Sequence, residues 1–128
     1  MEFNFNWLTQ GLGIPKEEIT FIEDVCAGGG NLGPSIEYFV RGLELGNMVF
    51  MQYKTFPDGS REELKIKVID TGIGLERVAW LMNGTPTSYM DTFRNAFNYL
   101  KDKLEINPDH AIWEEFGKYS SQLDVDEA

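Results

Sequence analysis

Four residues in one short stretch have the types and spacing to bind a small ligand that carries one positive and one negative group. Asp70 and Arg77 have opposite charges, and Gly72 and Gly74 lie between them in the sequence. Glycine has no Cβ atom, so a flat ligand could lie directly against the backbone at these positions. The arginine remains a cation at neutral pH. The stretch therefore predicts a site for a ligand with a cationic and an anionic group.

The pattern around these residues predicts the elements that position them. An alternating run ends near Ile69, and the two glycines that follow predict a sharp turn. The apolar residues after the turn then have helical spacing, at Leu75, Val78, Ala79 and Met82. Asp70 and Arg77 are thus expected at the end of a strand and in the first turn of a helix.

The rest of the chain predicts an α+β fold, in which a small antiparallel sheet is followed by helices. Residues 19–25 alternate and predict a first strand, whereas the glycines of residues 26–34 predict an irregular loop. Two strands are expected within residues 35–53. The composition of residues 56–60 predicts a turn into a fourth, antiparallel strand. Helical spacing predicts a short first helix near Trp7 and two more, from Ser88 to Leu104 and from Ile112 to Tyr119, with a frayed acidic tail at residues 123–128.

Composition restricts the function classes. The 128 residues are within the range of one domain, and the formal net charge of −10 disfavours binding of nucleic acid phosphates by this chain alone. A single cysteine excludes an internal disulfide and a cysteine-based zinc cluster. Because no segment resembles a signal peptide or membrane span, we expect a cytoplasmic protein without a membrane partner.

Residues 70–78 (DTGIGLERV) are similar to motif 3 of class II aminoacyl-tRNA synthetases, in the form found in the alanyl-tRNA synthetase family. Three more segments resemble the same family in the same order: residues 27–34 (AGGGNLGP), 47–52 (NMVFMQ) and 84–87 (GTPT). The resemblance is closest to the archaeal-type branch. It implies that alanine and ATP form alanyl-adenylate, and that the alanyl group is then transferred to tRNA(Ala).

The resemblance also implies roles for single residues. Asp70 would hold the α-amino group of alanine, and Arg77 would contact the phosphates of ATP; these two are the catalytic candidates. Asn47 and Val49 would line the alanine pocket together with Gly72 and Cys26, and the last of these stands where relatives usually carry a tryptophan over the pocket. The remaining implied contacts are adenine on Gly72 and Gly74, Mg²⁺ with ATP on Glu37, and a loop over the amino acid formed by Gly28, Gly29, Gly30 and Asn31.

Each candidate has an ordinary structural alternative. Asp70 could be a turn or cap residue, and Arg77 a helix surface residue paired with a nearby acid. Val49 could belong to the core, Glu37 could be a solvated strand residue, and the glycines could serve only as turns. The isolated His110 favours a surface helix start over a metal ligand.

The resemblance implies that this chain corresponds to only part of a synthetase. Residues 1–86 match the later catalytic domain, and residues 87–128 match the start of the tRNA-recognition region. Motifs 1 and 2 would lie upstream, so we expect the isolated chain to be inactive alone and to need the remaining synthetase or a companion chain, or to associate with itself. The alternatives are a non-catalytic alanine- or adenylate-binding module, or one subunit of a split synthetase.

Overall fold

Three successive hairpins build a four-stranded antiparallel sheet with strand order β1-β2-β3-β4. The computed structural model describes residues 1–107 and 109–119. The strands are β1 (Ile19–Gly28), β2 (Asn31–Val40), β3 (Leu43–Thr55) and β4 (Arg61–Ile73). A short helix, α1 (Glu2–Asn6), precedes the sheet and continues as a π-helical turn over Trp7–Gly11. Three helices follow the sheet: α2 (Leu75–Asn83), α3 (Arg94–Leu104) and α4 (His110–Tyr119). The predicted α+β class is confirmed.

The chain forms two compact units. The first, Met1–Leu75, contains the whole sheet, and the second begins at Glu76. Within the first unit, α1 packs on one face of the sheet: the ring of Phe5 lies 6.4 Å from that of Phe21, which lies 6.5 Å from that of Tyr38. The largest fully buried side chains of this unit are Tyr38, Leu8, Leu45, Met48 and Val40. No helix among the described residues has the length and apolar character needed to cross a membrane.

The prediction of an irregular loop at residues 26–34 is wrong. Strand β1 continues to Gly28 and β2 begins at Asn31, so the turn consists of Gly29 and Gly30 alone. Their φ angles are +57° and +80°, the left-handed conformation that a two-residue hairpin turn requires. The glycines therefore permit a tight turn inside regular structure instead of preventing regular structure.

The position of the glycine turn after the fourth strand also differs from the prediction. Asp70 and Gly72 lie inside β4, which ends at Ile73, and only Gly74 separates β4 from α2. The backbone N–H of Gly74 donates a hydrogen bond of 2.8 Å to the carbonyl of Leu45, which extends the ladder between β3 and β4 to the start of the helix. Backbone pairing with β3 thus keeps this stretch extended despite its glycines.

The helix expected from Ser88 begins later than predicted. Ser88–Met90 is a single 3₁₀ turn, capped by the Thr87 side chain, which accepts a hydrogen bond from the Tyr89 N–H; α3 starts at Arg94. The side chain of Asp91 does not cap a helix, because it accepts hydrogen bonds from Thr85 Oγ1 at 2.6 Å and from Asn83 at 3.1 Å. In the last helix, His110 is exposed at the first position of α4, as expected. The predicted frayed tail at residues 123–128 lies outside the described residues.

Candidate functional site

Five of the candidate residues lie on one face of the sheet, in two adjacent rows. In the register between β3 and β4, Asn47 is opposite Gly72 and Val49 is opposite Asp70. In the register between β2 and β3, Glu37 is opposite Asn47. Because side chains two residues apart on a strand point to the same face, these five residues share one surface. We call this surface the Asn47 face; Tyr38 and Met48 belong to the opposite face, which carries α1.

Asn47 and Gly72 make a close contact across the two strands. A Cβ atom at Gly72 would lie 3.1 Å from Asn47 Oδ1 and 3.9 Å from Asn47 Cγ. The carboxamide of Asn47 therefore lies over the bare backbone of Gly72. Glycine is needed here for space, since Gly72 is not among the glycines with positive φ. The contact fixes where the amide of Asn47 can present its donor and acceptor.

Asp70 offers an accessible carboxylate on the same face. It is exposed, and within the described residues its side chain has no hydrogen bond or ion pair. Val49, directly opposite, is only 8% exposed. A carboxylate beside a nearly buried aliphatic side chain can hold an ammonium group by a charge-assisted hydrogen bond while a small apolar group contacts the valine. Asn47 and Asp70 are diagonal neighbours in the antiparallel pair and lie about 7–8 Å apart. A small ligand could therefore contact both side chains at once.

Glu37 adds a second carboxylate next to Asn47. The two side chains begin about 5 Å apart, as directly opposed residues in neighbouring strands do, and Glu37 is partly exposed. One accessible carboxylate is a suitable partial ligand for Mg²⁺, which usually keeps several waters and binds through one or two carboxylates plus the phosphates of a substrate. Among residues 1–107 and 109–119, no group of three or more His, Cys, Asp or Glu side chains is placed to hold a metal ion.

Cys26 and the glycine hairpin lie apart from Asp70. Cys26 is an exposed free thiol on β1, opposite Gly33 of β2. Strand β1 is three strands from β4, which is about 14 Å along the sheet. Asn31, at the tip of the hairpin, is opposite Lys54, five residues along β3 from Val49, or about 17 Å. The sheet therefore brings together the pocket candidates of β2, β3 and β4 without the candidates of β1 and its turn.

Gly74 and Arg77 lie where β4 passes into α2. Gly74 is the one residue between the two elements, and Arg77 is partly buried in the first turn of the helix, where it makes polar contacts. Arg77 belongs to the second compact unit and the Asn47 face to the first.

Two polar residues of the Asn47 face were missed by the sequence analysis. Ser35 is opposite Val49 and is 4% exposed, and Asp24 is opposite Ser35 on β1. The four side chains Asp24, Ser35, Val49 and Asp70 thus form one row across all four strands. Ser35 begins the run of residues 35–53 in which two strands were predicted, and its position two residues before Glu37 could have placed it on this face.

Comparison with known proteins shows that the chain is similar, over most of its length, to one segment of archaeal aminoacyl-tRNA ligases. The relatives are alanine–tRNA ligases: the chain is 55% identical over 122 residues to that of Methanocella arvoryzae, 44% over 115 residues to that of Methanothermobacter thermautotrophicus, and 47% over 111 residues to that of Cenarchaeum symbiosum. These alignments cover 95%, 90% and 87% of this chain.

The chain spans only 14%, 13% and 12% of the lengths of these three relatives. No family model matches the chain. The resemblance found in the sequence is thus confirmed as similarity to a segment of alanine–tRNA ligases.

Proposed function

We propose that this chain supplies the alanine-binding wall and motif 3 of an alanine–tRNA ligase, which activates alanine with ATP and transfers it to tRNA(Ala). The observation that carries the proposal is the grouping of Asp70, Asn47, Val49 and Gly72 on one face of two paired strands. This grouping lies inside a segment that is 42–55% identical to archaeal alanine–tRNA ligases.

The chemistry of the Asn47 face suits the amino acid of an aminoacyl-adenylate. The Asp70 carboxylate would bind the ammonium group, and hydrogen bonds to charged groups contribute about 1.5–3 kcal/mol each. The small, nearly buried surface of Val49 would contact the methyl group. The carboxamide of Asn47, held over Gly72, would orient the polar atoms of the ligand between these two contacts.

The ATP part of the proposal rests on the family resemblance of residues beyond this pocket wall. Arg77 would place its positive charge on the phosphates, and the bare backbone of Gly72 and Gly74 would support adenine. Glu37 would provide one carboxylate for Mg²⁺ bound with ATP. The hairpin of Gly28, Gly29, Gly30 and Asn31, with Cys26, would contact the bound amino acid at the margin of the pocket. The tRNA would be held mainly by other parts of the longer ligase. We expect the protein to be cytoplasmic.

Calorimetric titration with a nonhydrolysable alanyl-adenylate analogue tests the proposal. We expect binding by the unchanged chain and a loss of about 10- to 150-fold in affinity for Asp70→Ala, the equivalent of one charged hydrogen bond. Asp24→Ala is the matched control, because Asp24 is an exposed carboxylate in the same row, three strands from Asp70. Equal losses for the two variants, or no loss for Asp70→Ala, would refute the assignment of Asp70. Circular dichroism establishes that each variant is folded.

A second candidate is a non-catalytic module that binds alanine or its adenylate, or a subunit that acts only with a companion chain. The observation that favours it is that Asn47, Val49 and Asp70 lie together within the first compact unit, whereas Arg77, the candidate for the phosphates of ATP, belongs to the second. Exchange of labelled pyrophosphate into ATP, dependent on alanine, distinguishes the two. The assay is run with the remaining synthetase segment or companion chain added. Exchange under these conditions favours the enzyme, whereas binding of the analogue without exchange favours the module.

A further inference from the structure

A hydroxyl group, that of Ser35, lies next to Val49 on the Asn47 face. The two residues belong to the row that crosses the four strands: Asp70 is opposite Val49, Val49 is opposite Ser35, and Ser35 is opposite Asp24. Directly opposed side chains begin about 5 Å apart. Ser35 is therefore in contact range of a group bound over Val49, on the side away from Asp70.

The hydroxyl group of Ser35 has no hydrogen-bonding partner in the sheet. Ser35 is 4% exposed, and among residues 1–107 and 109–119 nothing holds its side chain by a hydrogen bond. A nearly buried hydroxyl of this kind depends on water or on a ligand atom for its partner. An apolar group that covers it removes this last partner, which costs free energy.

An amino acid bound in the proposed way would extend its side chain toward Ser35. Its ammonium group would be on Asp70, and its remaining polar atoms would be near Asn47, which leaves the side chain over Val49 in the row. A methyl group ends there. An unbranched side chain with two more carbon atoms would continue along the row and cover the hydroxyl of Ser35.

We propose that Ser35 is a specificity-determining residue that makes the site reject apolar amino acid side chains longer than a methyl group. The inference rests on the proposed function, because it requires the ammonium group on Asp70. A longer apolar side chain would bury more of its own surface but would leave the hydroxyl of Ser35 unpaired. A site discriminates against a ligand that leaves one of its polar groups without a partner.

Calorimetric titration with two nonhydrolysable analogues tests the inference. One is the alanyl-adenylate analogue, and the other carries 2-aminopentanoic acid, whose side chain is an unbranched propyl group; we call it the propyl analogue. The unchanged chain should bind the alanyl-adenylate analogue more tightly. Ser35→Ala should raise the affinity for the propyl analogue by about 5- to 150-fold, because no hydroxyl is then left unpaired. The affinity for the alanyl-adenylate analogue should change less than about twofold, since its methyl group ends at Val49.

Ser35→Thr is the matched control, because it keeps the hydroxyl and adds a methyl group at a strand position, where threonine is favoured. This variant should still prefer the alanyl-adenylate analogue. Urea denaturation of both variants measures their stability. Ser35→Ala should be at least as stable as the unchanged chain, since it removes a hydroxyl that makes no hydrogen bond within the described residues. A change in selectivity without a loss of stability excludes a loosened sheet as its cause.

The possible failures of this inference and of the proposed function give different results. The role of Ser35 is overturned if Ser35→Ala keeps the original preference, if it changes both affinities equally, or if Ser35→Thr binds the propyl analogue as tightly as Ser35→Ala does. In each of these cases a loss of binding of the alanyl-adenylate analogue in Asp70→Ala would still support the proposed function. If the folded chain binds neither analogue, both proposals are refuted.

Discussion

Replacing Gly72 by alanine should weaken ligand binding at the Asn47 face with little change in the stability of the fold. The new Cβ atom would lie 3.1 Å from Asn47 Oδ1, closer than an ordinary van der Waals contact. Because Asn47 Oδ1 belongs to a partly exposed, rotatable side chain and not to the backbone, we expect the carboxamide to turn away by a few tenths of an ångström or more, out of the position from which it would contact a ligand.

Two opposing terms keep the free energy of unfolding nearly unchanged. Alanine in place of glycine restricts the unfolded chain, which stabilises the protein by about 0.4–1 kcal/mol where the native backbone permits it. Moving Asn47 from its preferred rotamer costs about 0.5–1.5 kcal/mol. Loss of one ligand hydrogen bond from the displaced amide, about 0.5–1.5 kcal/mol, corresponds to a roughly 2- to 13-fold weaker affinity.

Urea denaturation and calorimetry with the alanyl-adenylate analogue measure the two effects separately. The matched background is Asn47→Ala, which removes the amide that the new Cβ would meet. In this background Gly72→Ala should cost no further affinity, so the double-mutant cycle should show strong coupling between the two positions. Unchanged affinity in the single variant, or an equal loss in both backgrounds, would refute the reasoning.

Three further changes test the packing around the site and the second unit. Gly33→Ala should lower the free energy of unfolding in urea by at least about 1–3 kcal/mol, because its Cβ would lie 2.0 Å from the backbone carbonyl oxygen of Phe50 and would force β2 from β3; a smaller loss would contradict this close approach. Hydrogen bonds, first from Thr85 and then from Asn83 and Thr92, lower the pKa of Asp91. A lowered pKa contributes stability that is present above the pKa of the unfolded chain, about 4, and is lost as the pH falls through the folded-state pKa. The melting temperature should therefore fall on acidification below about pH 4, and Asp91→Asn should reduce this acid dependence; an unchanged acid profile would contradict it. Gly117→Ala should stabilise the protein by roughly 0.5–1 kcal/mol in thermal unfolding, because Gly117 lies inside α4 and the nearest atom that the new Cβ would meet, Pro86 O, is 4.0 Å away. A destabilised variant would show that the packing of α4 differs.

Composition and spacing predicted much of the sheet. The turn at residues 56–60 and the antiparallel pairing of the strands around it are confirmed, because proline and Asp-Gly define the turn and the alternation of Leu64 and the lysines defines an extended strand. Asn47 and Val49, which the resemblance assigns to one pocket, are two residues apart on β3 and lie on one face of the sheet in the register with β4.

The glycine-rich segments were harder to predict, since glycine permits both turns and extended strands. At Gly29 and Gly30 the backbone has positive φ and turns, whereas at Gly72 it is extended and glycine provides space for Asn47. Only the contact across strands distinguishes these cases, and a single sequence does not contain it. The same limit explains Ser35 and Asp24, whose places on the Asn47 face depend on how far β1 and β2 extend.

The hairpin of β3 and β4 has an irregularity in its pairing that separates it into two independent halves. The inner half contains the pairs from Gly46–Ile73 to Met51–Val68, and the outer half contains the pairs from Tyr53–Glu63 to the turn. Between the pairs Met51–Val68 and Tyr53–Glu63, β3 has one residue and β4 has four. The count of residues in the outer half therefore does not determine which side chains face the ligand in the inner half. Insertions or deletions between Tyr53 and Glu63 would be absorbed at this irregularity, leaving Asn47 opposite Gly72 and Val49 opposite Asp70. The outer half can accordingly vary in length and composition as a separate module while the inner half keeps its alignment.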